Sequence, residues 1–147
     1  MNLLEHKKAR LNYEVLEEFE AGLELLGPEV KSIRAKLGKL EGSHVVVRDG
    51  EAYLVGASIP AYQVANAPKG YDPERTRKLL LTKAEIIKLA GLEGQKGLTI
   101  VPLTVYAKGR VLKVRVAAAR GRKAHDKRQA LKERDTKREI DRSLKNQ

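Results

Sequence analysis

Apolar positions recur along this chain at two different periods. Over residues 13–25, Tyr, Val, Phe and Leu alternate with Glu at an imperfect period of two, which predicts a long first strand with a bend near Ala21-Gly22. Gly27-Pro28-Glu29 reads as a helix start, because Pro suits the first helical position and Glu29 suits the positive end of the helix dipole. Val30, Ile33 and Leu37 then follow at helical spacing and predict one buried face, with Lys31, Arg34 and Lys36 lying away from it and Gly38 as the stop. Two runs, 45–47 and 52–55, flank Asp49-Gly50, whose residues tolerate the positive φ values of a tight hairpin turn. Residues 58–72 contain Pro60, Asn66, Pro68 and Gly70 and read as a loop, mobile over 65–71. Arg75, Arg77 and Lys78 lead into Leu79-Leu80-Leu81, a short buried strand. Thr82-Lys83-Ala84-Glu85 is a capping box opening a helix through Ile86, Ile87 and Leu89, with Gly91, Gly94 and Gly97 ending it. Residues 98–106 and 111–119 are two more strands joined at 107–110, with Pro102 marking an edge position or a bulge. Lys113 and Arg115 alternate with Val114 and Val116 and share the outer face.

Strands outnumber helices, and hairpins join neighbours. The expected class is mainly β: a small antiparallel oligonucleotide-binding-type barrel with two or three peripheral helices. Residues 1–119 form this domain, residues 1–10 serving it as a basic arm. Residues 120–147 form a tail of a different kind. It carries 11 Lys/Arg against 5 Asp/Glu, no aromatic and no Pro, and its large apolar residues are Leu131, Ile140 and Leu144. Leu131 and Ile140 fall on opposite helical faces, so no apolar stripe is available to dock on the rest of the chain. The tail is expected to be disordered in solution. Its residues are nonetheless strong helix formers, and Glu133–Lys137 and Asp141–Lys145 add spacing-four ion pairs. It should become a helix where phosphates surround it.

Charge narrows the partner. The 147 residues carry a net charge of +11, which points to a polyanion. Nucleic acid is favoured over membrane, since no basic amphipathic helix with a bulky apolar face is visible. No long apolar run or signal-peptide pattern is present, so a soluble cytoplasmic protein is expected. The absence of Cys excludes disulfides and thiolate metal sites, and His6, His44 and His125 show no metal-ligand spacing. Neither a metal nor a cofactor is expected. With five Tyr and Phe19 as the aromatics, phosphate and shape recognition are favoured over serial base stacking. His125 and Asp126 are adjacent and so diverge on a helix, Gly94-Gln95-Lys96-Gly97 lacks a following Gly-Lys-Ser/Thr, and no Ser sits in a nucleophile elbow. An enzyme is not expected.

Four stretches carry a family resemblance. They are Lys7-Lys8-Ala9-Arg10 with Tyr13; residues 22–34, containing Glu29-Val30-Lys31-Ser32-Ile33-Arg34; residues 72–81, Asp-Pro-Glu-Arg-Thr-Arg-Lys-Leu-Leu-Leu; and Gly121-Arg122-Lys123-Ala124-His125-Asp126-Lys127-Arg128. In order and spacing they resemble the SmpB family, whose members bind transfer-messenger RNA and rescue stalled bacterial ribosomes. The likeness covers nearly the whole chain, and the second and third runs together are highly specific. It implies a monomeric, non-enzymatic adaptor that binds the tRNA-like domain of transfer-messenger RNA and enters an empty ribosomal A site with it. Elongation factor Tu would be met only indirectly, through the RNA. The implied RNA-binding residues are Lys7, Lys8, Arg10, Glu20, Leu80 and Lys113. The implied tail determinants for the decoding site and mRNA channel are Gly121, Arg122, His125, Asp126, Lys127 and Arg128. The chain departs from the family where His6 replaces a usual Asn and Leu11 a usual His, which moves the arm's hydrogen-bonding contact toward His6 or Asn12.

Lys and Arg at the implied positions can neutralise phosphates. Glu20 cannot; it is either an acceptor for a 2′-hydroxyl or base amino group, an orienter of a neighbouring Arg, or a strand Glu paired with Lys or Arg. Alternation puts Leu80 on the opposite face from Leu79 and Leu81, as an exposed apolar contact or as plain core. The rival readings are a generic basic RNA chaperone or ribosomal protein and, more distantly, an RNA-processing enzyme.

Overall fold

The structure is a computed structural model that describes residues 2–63, 68–122 and 124–145. Seven strands and four helices follow in the order β1 (Asn2–Glu5), α1 (Ala9–Asn12), β2 (Tyr13–Leu23), α2 (Gly27–Arg34), β3 (His44–Arg48), β4 (Glu51–Val55), β5 (Arg77–Leu80), α3 (Lys83–Glu93), β6 (Leu98–Lys108), β7 (Val111–Gly121) and α4 (Ala124–Lys145). One antiparallel sheet holds all seven strands in the order β1-β6-β7-β2-β5-β4-β3. The mainly β, oligonucleotide-binding-like architecture expected from the sequence is present. The sheet curls until β3 packs against β6, but no ladder joins them, so its pairing is not closed into a barrel.

Local signals explain most elements. Asp49 at φ 53° and Gly50 at φ 74° make the two-residue turn between β3 and β4. Thr82 accepts from Glu85 N while Glu85 reaches back to Thr82 N, completing the capping box of α3. Pro102 is followed by a shift of register against β7, the bulge that its missing N–H calls for. The bulge also reverses which face the strand buries: Ile100 and Val105 belong to the main core, Val101 and Leu103 to a second cluster on the other side with Ala117, Ala119 and Ala9.

Three expectations change. Residues 1–10 are not a free arm: Asn2–Glu5 pairs with β6, His6 N–H donates to Leu103 O at 2.8 Å, and α1 covers the second cluster with buried Ala9. α2 ends at Arg34, and Lys36 takes the left-handed turn at φ 62°, so Leu37 falls outside the helix and is exposed. Of the loop segment read as mobile, residues 65–67 lie outside the described residues. Tyr71 is held firmly, its hydroxyl lying 2.6 Å from Ile59 O and 2.9 Å from Glu29 Oε2, two acceptors that share its one proton.

Glu29 is the centre of a buried hub. Its side chain is fully buried, as is that of Arg77. Oε2 accepts from Arg77 Nε at 2.9 Å and Nη2 at 2.6 Å, and from Arg75 Nε at 3.0 Å; Oε1 accepts from Leu26 N–H at 2.8 Å and Arg75 Nη2 at 2.5 Å. Arg77 then spends its other N–H groups on Ala57 O at 2.7 Å and Pro73 O at 2.9 Å. One carboxylate therefore joins the start of α2, the β4–β5 connection and β5. Burial alone raises the Glu29 carboxyl, but the hydrogen bond from Arg75, the Leu26 N–H and the bond and charge of Arg77 outweigh it and hold the group at about 2, against an ordinary 4.5.

A carboxyl depressed on folding contributes stability that is present above its unfolded value and lost as pH falls through its folded value. The hub should therefore lose about 3 kcal/mol between pH 4.5 and pH 2. Glu29→Gln should remove most of that acid-dependent component and cost about 3–5 kcal/mol at pH 7, because Arg77 is left buried without a counter-charge. Urea unfolding at pH 7 and at pH 3 measures both; a variant as stable as the parent at pH 7 would refute the assignment.

Candidate RNA interface

Directly opposed residues of an antiparallel pair share a face. The registers therefore draw a line across five strands on the outer surface: Leu80 opposite Gly22, Gly22 opposite Lys113, Lys113 opposite Tyr106, Tyr106 opposite Asn2. A second line runs beside it, with Glu20 opposite Arg115, Arg115 opposite Thr104 and Thr104 opposite Glu5. Adjacent strands lie about 4.8 Å apart, so this strip is roughly 20 Å wide. Three residues singled out in the sequence, Glu20, Leu80 and Lys113, border one shallow hollow on it, together with Lys78, Thr82 and Glu85.

Leu80 is 52% exposed, which answers the question of strand face: it is not core. It rests over Gly22, where a Cβ would stand 3.1 Å from the Leu80 Cβ. Gly22 thus lets an apolar side chain lie flat beside Lys113. Lys113 makes no ion pair among the described residues, and its charge helps lower the Glu20 carboxyl. The larger causes of that lowering are the hydrogen bonds from Tyr106 and then Lys108, whose Nζ lies 3.1 Å from Glu20 Oε1. Tyr106 answers in the opposite sense, raised to about 12 by burial and by the Glu20 carboxylate. Of the three roles open to Glu20, the ion pair is visible, with Lys108; its other partner is the Tyr106 hydroxyl rather than an Arg. Tyr106, Lys108 and Arg115 complete this network; strand alternation had placed Arg115 on this face, but the partners of Glu20 depend on register.

The arm residues stand at the far end of the strip. Lys7, Lys8 and Arg10 are exposed, and Arg10 Nη2 donates to Glu18 Oε1 at 2.7 Å. Of the two residues proposed to replace the family's arm contact, His6 has its Nδ1 3.1 Å from Pro102 O, a carbonyl that only accepts, so Nδ1 is the donor there. Asn12 is half-buried and lines a second hollow with Lys7 and Lys8.

The tail begins later than expected. Gly121 is the last residue of β7, paired with Tyr13. Arg122 is fixed as well, its N–H donating to Asn12 O at 2.8 Å and its Nε to Tyr13 O at 3.3 Å. Beyond it α4 passes close to α1, and the described side chains of α4 are all exposed, including Arg128, Leu131 and Ile140. The side chains of His125, Asp126 and Lys127 lie outside the described residues. No group of three or more potential metal ligands occurs among the described residues, and no helix is long and apolar enough to cross a membrane.

A curled antiparallel sheet whose outer strip carries Lys113, Arg115 and an exposed Leu, together with a basic C-terminal helix, defines a small β-sheet protein of the nucleic-acid-binding kind. The comparisons narrow this. The family model described as SmpB protein matches residues 3–146, and the chain belongs to the SmpB family. It is 49% identical to the SsrA-binding protein of Synechococcus sp. (strain JA-3-3Ab) over 97% of this chain and 93% of that one. It is 50% identical to the SsrA-binding protein of Thermosynechococcus vestitus, with 97% and 94% covered. A solved chain described as "tmRNA-SmpB: a journey to the center of the bacterial ribosome" superposes with a TM-score of 0.72 at 44% identity, covering 89% of this chain and 95% of that one.

Lys113→Glu should weaken RNA binding about tenfold or more, since it replaces a cation on this face by a second carboxylate near Glu20. Melting should change little, because the side chain is outward and unpaired. A gel shift beside a thermal melt checks both; unchanged affinity would remove Lys113 from the site.

Proposed function

We infer that this chain is a non-enzymatic adaptor that binds the tRNA-like domain of transfer-messenger RNA and brings it to stalled ribosomes for trans-translation. The observation that carries the reading is family membership across nearly the whole chain, with relatives called SsrA-binding proteins at about half identity. The outer strip supports the location of the RNA face. Leu80, Lys113 and the arm cations Lys7, Lys8 and Arg10 contact the RNA, while elongation factor Tu meets the complex through the RNA alone.

α4 is the part that enters the vacant decoding site and mRNA channel. A tRNA is accepted by pairing with a codon; an empty site offers none. A cationic helix fills that space and contacts ribosomal RNA, with His125, Asp126, Lys127 and Arg128 leading and Gly121 and Arg122 fixing its root. The helix is free to change position because its described side chains bury nothing against the sheet.

Deletion of residues 123–147 keeps the Gly121–Tyr13 pairing and both Arg122 hydrogen bonds. The deleted protein should fold, bind transfer-messenger RNA with a modest loss, and fail to add a peptide tag to a stalled chain. The combined change Asp126→Ala, Lys127→Ala, Arg128→Ala lowers the net charge by only one unit, so a comparable tagging defect would show specific contacts rather than bulk attraction. Normal tagging by the deleted protein would refute the role of α4. Equal affinity for ordinary tRNA and transfer-messenger RNA would favour a generic RNA binder instead.

A further inference from the structure

A carboxylate at the middle of a phosphate-binding strip needs an explanation. Both oxygens of Glu20 are already engaged, Oε2 by the Tyr106 hydroxyl and Oε1 by Lys108 Nζ. Each oxygen keeps a further acceptor site, but the bonds already made are to its own sheet. What it does is fix the phenol. The Arg115 guanidinium lies over the Tyr106 ring, 5.6 Å from its centroid. Arg115 is held in turn by Glu18, whose Oε2 is 4.0 Å from Nη1 and whose other oxygen takes Arg10. Two carboxylates on alternate positions of β2 thus set one aromatic ring and two guanidinium groups.

These groups face a cleft between the β1–α1 segment and strands β6 and β7. Its volume is about 570 Å³, within the roughly 300–1,000 Å³ range of small-ligand sites. Tyr106 and Arg115 form one side, Lys7 and Arg10 the other, and Arg134 of α4 reaches its rim. Four cations converge there against Glu5 in the wall and Glu18 behind Arg10 and Arg115. Like charges brought together in one cleft favour an anionic occupant. An aromatic ring beside a planar guanidinium favours the face of a base, which stacks on either.

We propose that this cleft holds one unpaired nucleotide of the bound RNA, with its base against Tyr106 and Arg115 and its flanking phosphates toward Lys7 and Arg10, and that Glu20 is a positioning residue for Tyr106. The proposal rests on the RNA-binding reading above and names a subsite within it. The sequence argues against serial stacking on many aromatics; a single fixed platform is a different and more selective device.

The test uses the full chain and the tRNA-like domain of transfer-messenger RNA. Ultraviolet cross-linking of the unmodified complex, followed by peptide mapping, should place an RNA adduct on Tyr106. Arg115→Lys keeps the charge and loses the plane, so affinity should fall about tenfold while the slope of log affinity against log salt is unchanged. Lys7→Ala should instead lower that slope by about 0.7. Glu20→Gln and Tyr106→Phe should each weaken binding, and their combination should be no worse than the weaker-binding single variant. A map without Tyr106, or an Arg115→Lys affinity within about twofold of the parent at equal melting temperature, overturns the subsite. Additive losses from Glu20→Gln and Tyr106→Phe overturn the positioning role. If the unmodified chain does not prefer the tRNA-like domain over ordinary tRNA, the adaptor reading fails instead, and the two failures are separable.

Discussion

The fold depends on one buried carboxylate. Glu29 sits at the start of α2 with no exposed surface and takes hydrogen bonds from two arginines, a tyrosine and a backbone N–H. A lone buried charge would be prohibitive, and even a single ion pair can fail to repay its desolvation. Here the compensation is complete: the described residues contain no buried side-chain N or O without a partner. Such a cluster adds directionality that apolar packing lacks. It fixes where α2 enters, where the β4–β5 connection crosses, and where β5 begins. Since β5 pairs with β2 at Gly22 and Leu23, the hub also fixes the place of Leu80 on the outer strip.

This changes what the two most specific stretches of the sequence mean. Residues 29–34 and 72–81 resemble the family most sharply, yet of all their residues the resemblance implies an RNA contact for Leu80 alone. Their strongest residues instead face each other: Glu29 from the first, Arg75 and Arg77 from the second. Ser32 adds a hydrogen bond to Pro60 O at 2.5 Å. Within the second run, Lys78 and Leu80 point outward while Arg77 and Leu79 point inward, so alternate residues of one strand serve scaffold and surface. A motif here records a buried scaffold and an exposed outer face in the same four residues.

Local chemistry was legible in the sequence wherever it acts within a few residues. The Asp49-Gly50 turn and the Thr82 capping box were each read from side-chain chemistry over two to four positions; Pro102 marked an edge position or a bulge, and alternation separated Leu80 from Leu79 without deciding which face is outside. What could not be read is pairing between distant residues. Arg77 lies 48 positions from Glu29, and Tyr106 lies 86 from Glu20, and neither separation leaves a period or a composition signal. The arm was misread for a related reason. Residues 1–10 look like a solvated basic segment because Leu3 and Leu4 are few; their burial becomes possible only because β6 offers an edge to pair with. Of the site, the residues Glu20, Leu80 and Lys113 came from resemblance, but their convergence on one hollow is a consequence of register alone.

The distribution of stability follows the distribution of work. Around Glu29 every element is tied by several hydrogen bonds, so the sheet that bears the strip is rigid and its side chains are set before any partner arrives. At the other end of the chain, Arg122 makes the last described anchors, to Asn12 and Tyr13. Past that point α4 exposes Leu131 and Ile140 alike, and its charge can be satisfied by water as well as by protein. A segment whose described side chains are all exposed loses little packing when its position changes. The contrast also explains why the sequence could describe α4 by composition yet not the core: the described side chains of the helix are exposed, whereas the hub consists of pairings between residues far apart in the chain.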